Sequence, residues 1–250
     1  MVQEAQAQQA DPTVAAIVEI PCPEVPPEVL TERIRTLDQI KRVYAVMMGA
    51  AATLCASNIA AAIRNADYAG EVIVTTSAQG LCFASLLVLF FVGTERYLDK
   101  KYLRAASKTP KWYTLMADII CLMVSGVWFV VLAQSVLGAA RDILQFNYNL
   151  LVLYGLDFAV LLFQLVTTDS TMPENATSDE CKKAYRIWIV LNVICFVLVS
   201  ILTFLVMPNL LTAYGETLGL ALGALILAAI HIARFLFDFS RTFRLYYPCL

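Results

Sequence analysis

The residues Val43–Ile63 contain no Asp, Glu, Lys or Arg, and neither do Val72–Thr94. Leu115–Gly138 is broken only by Asp118, and Tyr148–Thr168 only by Asp157. Ile187–Met207 is uncharged and stops at Pro208, while Thr217–Phe237 stays uncharged until His231 and Arg234. A helix needs about 20 mainly apolar residues to cross a bilayer. Inside hydrocarbon only helices and closed barrels satisfy their own backbone polar groups. None of the six runs alternates with the period of two that a barrel strand requires. The spacing therefore predicts an all-α, polytopic membrane protein with six transmembrane helices. Composition agrees: 15% of the residues are charged, against roughly 25% in a soluble domain, and the mean hydropathy is +0.70.

Sixteen of the eighteen Lys and Arg residues fall in alternate loops, and only Arg64 and Arg141 fall in the others. Basic loops stay in the cytosol, so both termini are expected inside, with the spans following one another as three hairpins. A weak repeat fits that rhythm: "ADIICLMV" in the third span resembles "LNVICFVL" in the fifth, aligning Asp118 with Asn192 and Cys121 with Cys195. The expected organisation is a flexible acidic cytosolic tail (1–28), a juxtamembrane amphipathic helix (29–42), a six-helix transmembrane domain (43–238) and a short cytosolic C-terminal segment (239–250). The tail carries five acids and no Lys or Arg, unlike a secretory signal, which begins with a basic region. In the next segment Leu30, Ile34 and Leu37 share a face, Thr31 is a candidate cap, and Arg33, Lys41 and Arg42 are placed to reach lipid phosphates. Arg96 and Asp99 are expected to form a solvated local pair. The sequon at Asn175 falls on the side assigned to the cytosol and is read as a chance match.

Several functions lose their basis. A net charge of -2 and the lack of a basic face with interleaved aromatics argue against a nucleic-acid partner. The seven cysteines form no CxxC pair, and one histidine cannot supply a bis-histidine haem. GxSxG, HExxH and P-loop signatures are absent. No cofactor or metal is expected, and the enzyme reading is the weakest. No lysine falls inside a predicted span, which disfavours a Schiff base.

Helices in lipid associate where small residues let backbones approach. "GAAATLCASNIAAA" marks the first span as central or as a subunit contact. Gly219 and Gly223 have the small-xxx-small spacing of a dimer face or of an intramolecular contact. The partners expected are thus the lipid bilayer, a second copy of the chain and a small ion or solute.

The polar groups inside the spans are the candidate site. A charge at mid-membrane costs roughly 2.5–3.5 kcal/mol on insertion scales. Asp157 is the deepest, about nine residues or roughly 14 Å into its span at 1.5 Å per residue. Asp118, Gln164, Asn192, His231 and Arg234 form a polar layer in the inner half, with Asn58, Thr75, Thr76 and Gln79 nearer the outside. In "HIARFLFDFSR" the residues His231, Arg234, Asp238 and Arg241 lie on one helix face. The expected partner of Asp118 is Arg234 or His231. His231 is either a neutral, hydrogen-bonded packing residue or a proton relay. These groups point to a small channel or transporter for protons or other small ions and solutes. The alternatives are a non-transporting scaffold or effector that uses its tails and basic loop, and a lipid-modifying intramembrane enzyme. Which membrane holds the chain is not encoded in these features.

Overall fold

The computed structural model describes residues 27–65, 69–99, 101–102, 112–136, 140–171 and 176–246. The acidic tail before residue 27, most of the basic loop at 100–111, the Asn175 sequon and residues 247–250 lie outside them. Every described element is helical. They are α1 (Pro27–Asn65), α2 (Gly70–Asp99), α3 (Trp112–Gln134), α4 (Ala140–Thr171), α5 (Ala176–Ile201), a π-helical turn (Leu202–Val206), α6 (Met207–Tyr214) and α7 (Glu216–Tyr246).

Six helices are long and apolar enough to cross a membrane, and each overlaps one predicted span, the third ending at Gln134 rather than Gly138. Their outward side chains are apolar: Val46 is 72% exposed, Val166 67%, Leu205 62% and Leu236 61%. A belt of that kind is far larger than the apolar patches of soluble monomers.

Two boundaries differ from expectation. The segment 29–42 is no separate helix but the first turns of α1, which starts at Pro27, a residue suited to a first helical turn. Leu37 and Tyr44 are buried there, and Lys41 reaches Asp99 of α2 at 2.5 Å. Lys41 is thus held by protein rather than by lipid, and Asp99 pairs across helices rather than with Arg96.

The fifth span does not stop at Pro208. It continues to Tyr214, giving an apolar helix of 30 residues. Proline lacks an N–H, and its ring collides with the carbonyl four residues back. The π turn removes the conflict by widening the helix just before it, with the Met207 N–H donating to the Leu202 carbonyl five residues back. Pro208 then sits in the first turn of α6.

The helices close into a ring in which α1 packs on α2, α2 on α7, α7 on α5, α5 on α4, α4 on α3, and α3 back on α1. The most extensive of these contacts joins α2 to α7. Buried residues make up 44% of the apolar window of α2 and of α7, but 22% of that of α1. The centre therefore belongs to α2 and α7. On α1, Ala51 and Cys55 face inward, but Gly49, Thr53, Ala56, Ser57 and Ala60 face out.

The chain turns between α6 and α7 at Gly215, whose φ of 78° suits glycine. The Gly215 N–H closes α6 on the Leu211 carbonyl, and the Gly219 N–H opens α7 on the Gly215 carbonyl. The turn lays Gly219 against the Leu210 backbone and Gly223 against Met207. A Cβ at Gly219 would stand 2.8 Å from the Leu210 carbonyl oxygen. The pair is an intramolecular contact, and α6 fills the face that a dimer would have used.

Candidate functional site

Four charged residues meet in one cavity of about 90 Å³ inside the ring: Asp118 of α3, Asp157 of α4, and Arg234 and Asp238 of α7. Gln164, Thr94, Tyr97 and Trp188 add polar groups to its wall. Of the four residues sharing a face in "HIARFLFDFSR", His231, Arg234 and Asp238 are buried and Arg241 is exposed. The three-four-three spacing does place a polar stripe along α7, turned inward until the helix leaves the bundle.

Arg234 is 7% exposed. Its Nη2 donates to Asn192 Oδ1 at 2.5 Å, and its guanidinium lies over the Tyr154 ring, 4.9 Å from the centroid. Asn192 turns its amide nitrogen the other way and donates to Asp157 Oδ2. One asparagine thus accepts from the cation and donates to the anion, holding the two charges an amide's width apart. Arg234 Nε and Nη1 are buried and have no hydrogen-bond partner among the described residues. Asp157 lies just past the middle of its apolar helix, Ile143–Val166, on the Gln164 side. The α4 helix begins earlier than the sequence suggests, which brings Asp157 down to the level of Asn192 and Arg234.

His231 is 1% exposed. Its Nδ1 lies 2.8 Å from the Leu227 carbonyl, which can only accept, so Nδ1 carries the proton. Nε2 therefore accepts from the Tyr154 hydroxyl at 2.5 Å. A neutral imidazole has one donor and one acceptor, and both are used. His231 does not line the cavity; it fixes Tyr154, on which Arg234 stacks.

Asp118 pairs with neither Arg234 nor His231. Its partner is Lys101, whose Nζ is 2.7 Å from Oδ2. Tyr102 donates to the same oxygen at 2.6 Å, and Tyr97 reaches both carboxylate oxygens at 3.2 Å. Lys101 Nζ also donates to the Tyr97 hydroxyl at 2.5 Å and lies 5.1 Å and 5.4 Å from the Tyr97 and Tyr102 ring centroids. The reason for the change of partner is geometric. Helical turns continue past α2 at Lys101 and Tyr102, so a lysine assigned to a solvated loop folds back onto α3. Burial, reinforced by the Asp118 carboxylate, pushes the Tyr102 phenol well above its usual range and keeps it a donor. Asp238 accepts from the Trp188 indole N–H at 2.8 Å.

Asn58, Thr75, Thr76 and Gln79 do not join this cavity. Thr75, Thr76 and Gln79 are buried, and the Gln79 amide has no partner among the described residues. Asn58 donates to the Ala133 carbonyl at 2.9 Å. Between Gln79 and the cavity stand Phe83, Phe129 and Phe90, each meeting the next edge-on, at centroid distances of 5.9 and 5.2 Å.

Sequence reasoning missed Lys101, Tyr97, Tyr102, Tyr154 and Trp188, and it placed Asp238 on the face of His231 and Arg234 without including it in the polar layer. The available signals were the i, i+4 spacing of Tyr97 with Lys101 and of Arg234 with Asp238. The described residues include no group of three His, Cys, Asp or Glu side chains placed to hold a metal ion. No protein-family model, curated protein or solved structure matches the chain. The fold defines only a class: an all-helical chain with six helices compatible with a multi-pass integral membrane protein.

Proposed function

We propose that the chain is a small transporter or channel that moves protons or other small ions and solutes through the ring. The observation that carries this reading is the convergence of Asp118, Asp157, Arg234 and Asp238 on one cavity inside otherwise apolar helices. Ionisable groups in spans are costly and mark ion and substrate pathways by default. Asp157 is the pathway residue of this proposal, because Asn192 occupies one of its oxygens and no protein group among those described bonds the other. Gln164 extends the polar wall. The phenylalanines 83, 90 and 129 close the route outward, so passage requires their rearrangement.

The basic-loop bias supports three hairpins with both termini in the cytosol. In that frame residues 1–28 and 239–250 are cytosolic segments, and residues 29–42 lie at the membrane surface. Lipid covers the exposed apolar belt. A second copy of the chain would use the outward small-residue face of α1. The scaffold reading draws on a different observation: Asp118 and His231 are fully engaged by their neighbours, as structural polar groups are.

Reconstitution separates the two. Liposomes containing the protein should pass protons or small cations under a pH or voltage gradient, and Asp157→Asn should reduce the flux about tenfold, the effect of losing roughly 1.4 kcal/mol of charge interaction. Flux unchanged by Asp157→Asn removes the pathway. Silence across protons, alkali cations and small neutral solutes favours the scaffold.

A further inference from the structure

Asp157 gives Oδ2 to the Asn192 amide. Its Oδ1 bonds no protein group among the described residues and keeps accessible surface on the cavity. Ser125 of α3 lines the same cavity, and its hydroxyl is also open and without a partner among those residues. The spare Arg234 atoms, Nε and Nη1, are sealed from it. At about 90 Å³ the cavity is several times the ~10–15 Å³ that one water requires. Water can therefore stand against Asp157 just past the middle of an apolar helix.

We infer that Asp157 takes up a proton from water in this cavity and releases it again, so that the species handled by the site is the proton rather than a metal cation or an organic solute. This rests on the reading of the cavity as a transport site and names what moves. In uptake, a hydronium ion gives its proton to Oδ1, an O–H bond forms and water is left, while Oδ2 goes on accepting from Asn192. Release reverses each change. The charged groups around Asp157 permit both states. Arg234 stands across Asn192 from Asp157 and one helical turn from Asp238 on α7. When Asp157 is neutral, Asp238 is still beside the guanidinium, so neither state leaves Arg234 without a carboxylate. Asp118 is answered by Lys101 in either case. Tyr44, Tyr97, Tyr154, Cys121 and Cys195 stay neutral at ordinary pH, and His231 is held neutral by Leu227 and Tyr154. A dehydrated metal cation fares worse, because it needs a shell of about six oxygens. Both Asp118 oxygens are engaged by Lys101, Tyr97 and Tyr102, and Asp238 Oδ1 accepts from Trp188. An organic acid or amide loses its natural partner, since the spare guanidinium donors are sealed off.

The test uses the full chain, in lipid films and in proteoliposomes. Infrared spectra of parent and Asp157→Asn films are subtracted at each step of a pH titration, which isolates the Asp157 group. The difference should show a carboxylic-acid C=O band that moves in D₂O and gives way to carboxylate as pH rises. Asp118→Asn should leave that band in place, and Asp157→Glu should keep a titrating band at a shifted frequency. Where an elution profile shows the Asn variant misfolded, subtraction of Asp157→Glu reads the same band by its shift. In liposomes with a trapped pH dye, a potential set by potassium and valinomycin should drive protons inward, equally well in sodium or choline. Asp157→Asn should slow that flux about tenfold. A difference spectrum without such a band, or with a band that ignores pH, overturns the inference. So does an Asp157-dependent sodium flux without protons, which keeps the transport reading. A titrating Asp157 with no flux of any ion keeps the proton site and defeats transport.

Discussion

Removing Lys101 should unsettle this protein more than removing its partner. Asp118 is held inside the bundle at 2% exposure, so Lys101→Met leaves a buried carboxylate with the Tyr97 and Tyr102 hydroxyls but no countercharge. Breaking a buried pair from one side costs about 3–5 kcal/mol. Asp118→Asn should cost less, about 1–3 kcal/mol. Lys101 lies at the end of its helix and can swing its ammonium outward, while the new amide oxygen still accepts from Tyr102. In the double variant no charge is left to strand, and the cost should fall to about 1–2 kcal/mol. At the middle of these ranges the cycle gives a coupling of about 4–5 kcal/mol, far above the few tenths expected of independent sites. At about 2–4 °C per kcal/mol for a chain of this size, Lys101→Met should lower the melting temperature in detergent by about 6–20 °C, and Asp118→Asn should restore most of it. Unfolding in mixed micelles, followed by tryptophan fluorescence, supplies the free energies. Additive effects at 101 and 118, or strong coupling of Asp118 to Arg234 instead, would refute the assigned pair.

Two further substitutions probe the packing around the cavity. Tyr154→Phe keeps the ring under Arg234 but removes the hydroxyl that His231 Nε2 accepts from, so stability should drop by about 1–3 kcal/mol; in a His231→Phe background the same change should cost almost nothing. Gly219→Ala should destabilise the α6–α7 contact, because its Cβ meets the Leu210 backbone at 2.8 Å, whereas Gly49→Ala, with nothing within 4 Å, should stay within about 0.5 kcal/mol of the parent in the same melts.

The spans were legible because the bilayer sets a length, and uncharged runs of that length are rare by other routes. The inward turn of His231 and Arg234 was legible too, since helical periodicity alone puts them on one face. The partner of Asp118 was not. Hydropathy sorts a lysine by its neighbours along the chain, and Lys101 sits among loop charges although its ammonium ends up under two tyrosines. Of the two roles expected of α1, the central one does not match its 22% burial, for a related reason: small residues say that a helix can be approached closely, not which of its faces is approached. Pro208 looked like a stop because the sequence carries no sign of the π turn that accommodates it. Asp157 was found, but its alignment with Asn192 and Arg234 depended on where α4 begins, a boundary inside a polar stretch without a strong cap.

The closing of the ring through α2 and α7 has a consequence for biogenesis. A ribosome releases α2 well before α7, so the broadest helix–helix contact joins segments that emerge far apart in time. Until α7 arrives, Asn192 and Asp157 wait in the half-built bundle without the guanidinium that completes their network. Before α7 joins, the Asp157 carboxylate therefore rests on the Asn192 amide alone, without the cation that balances it.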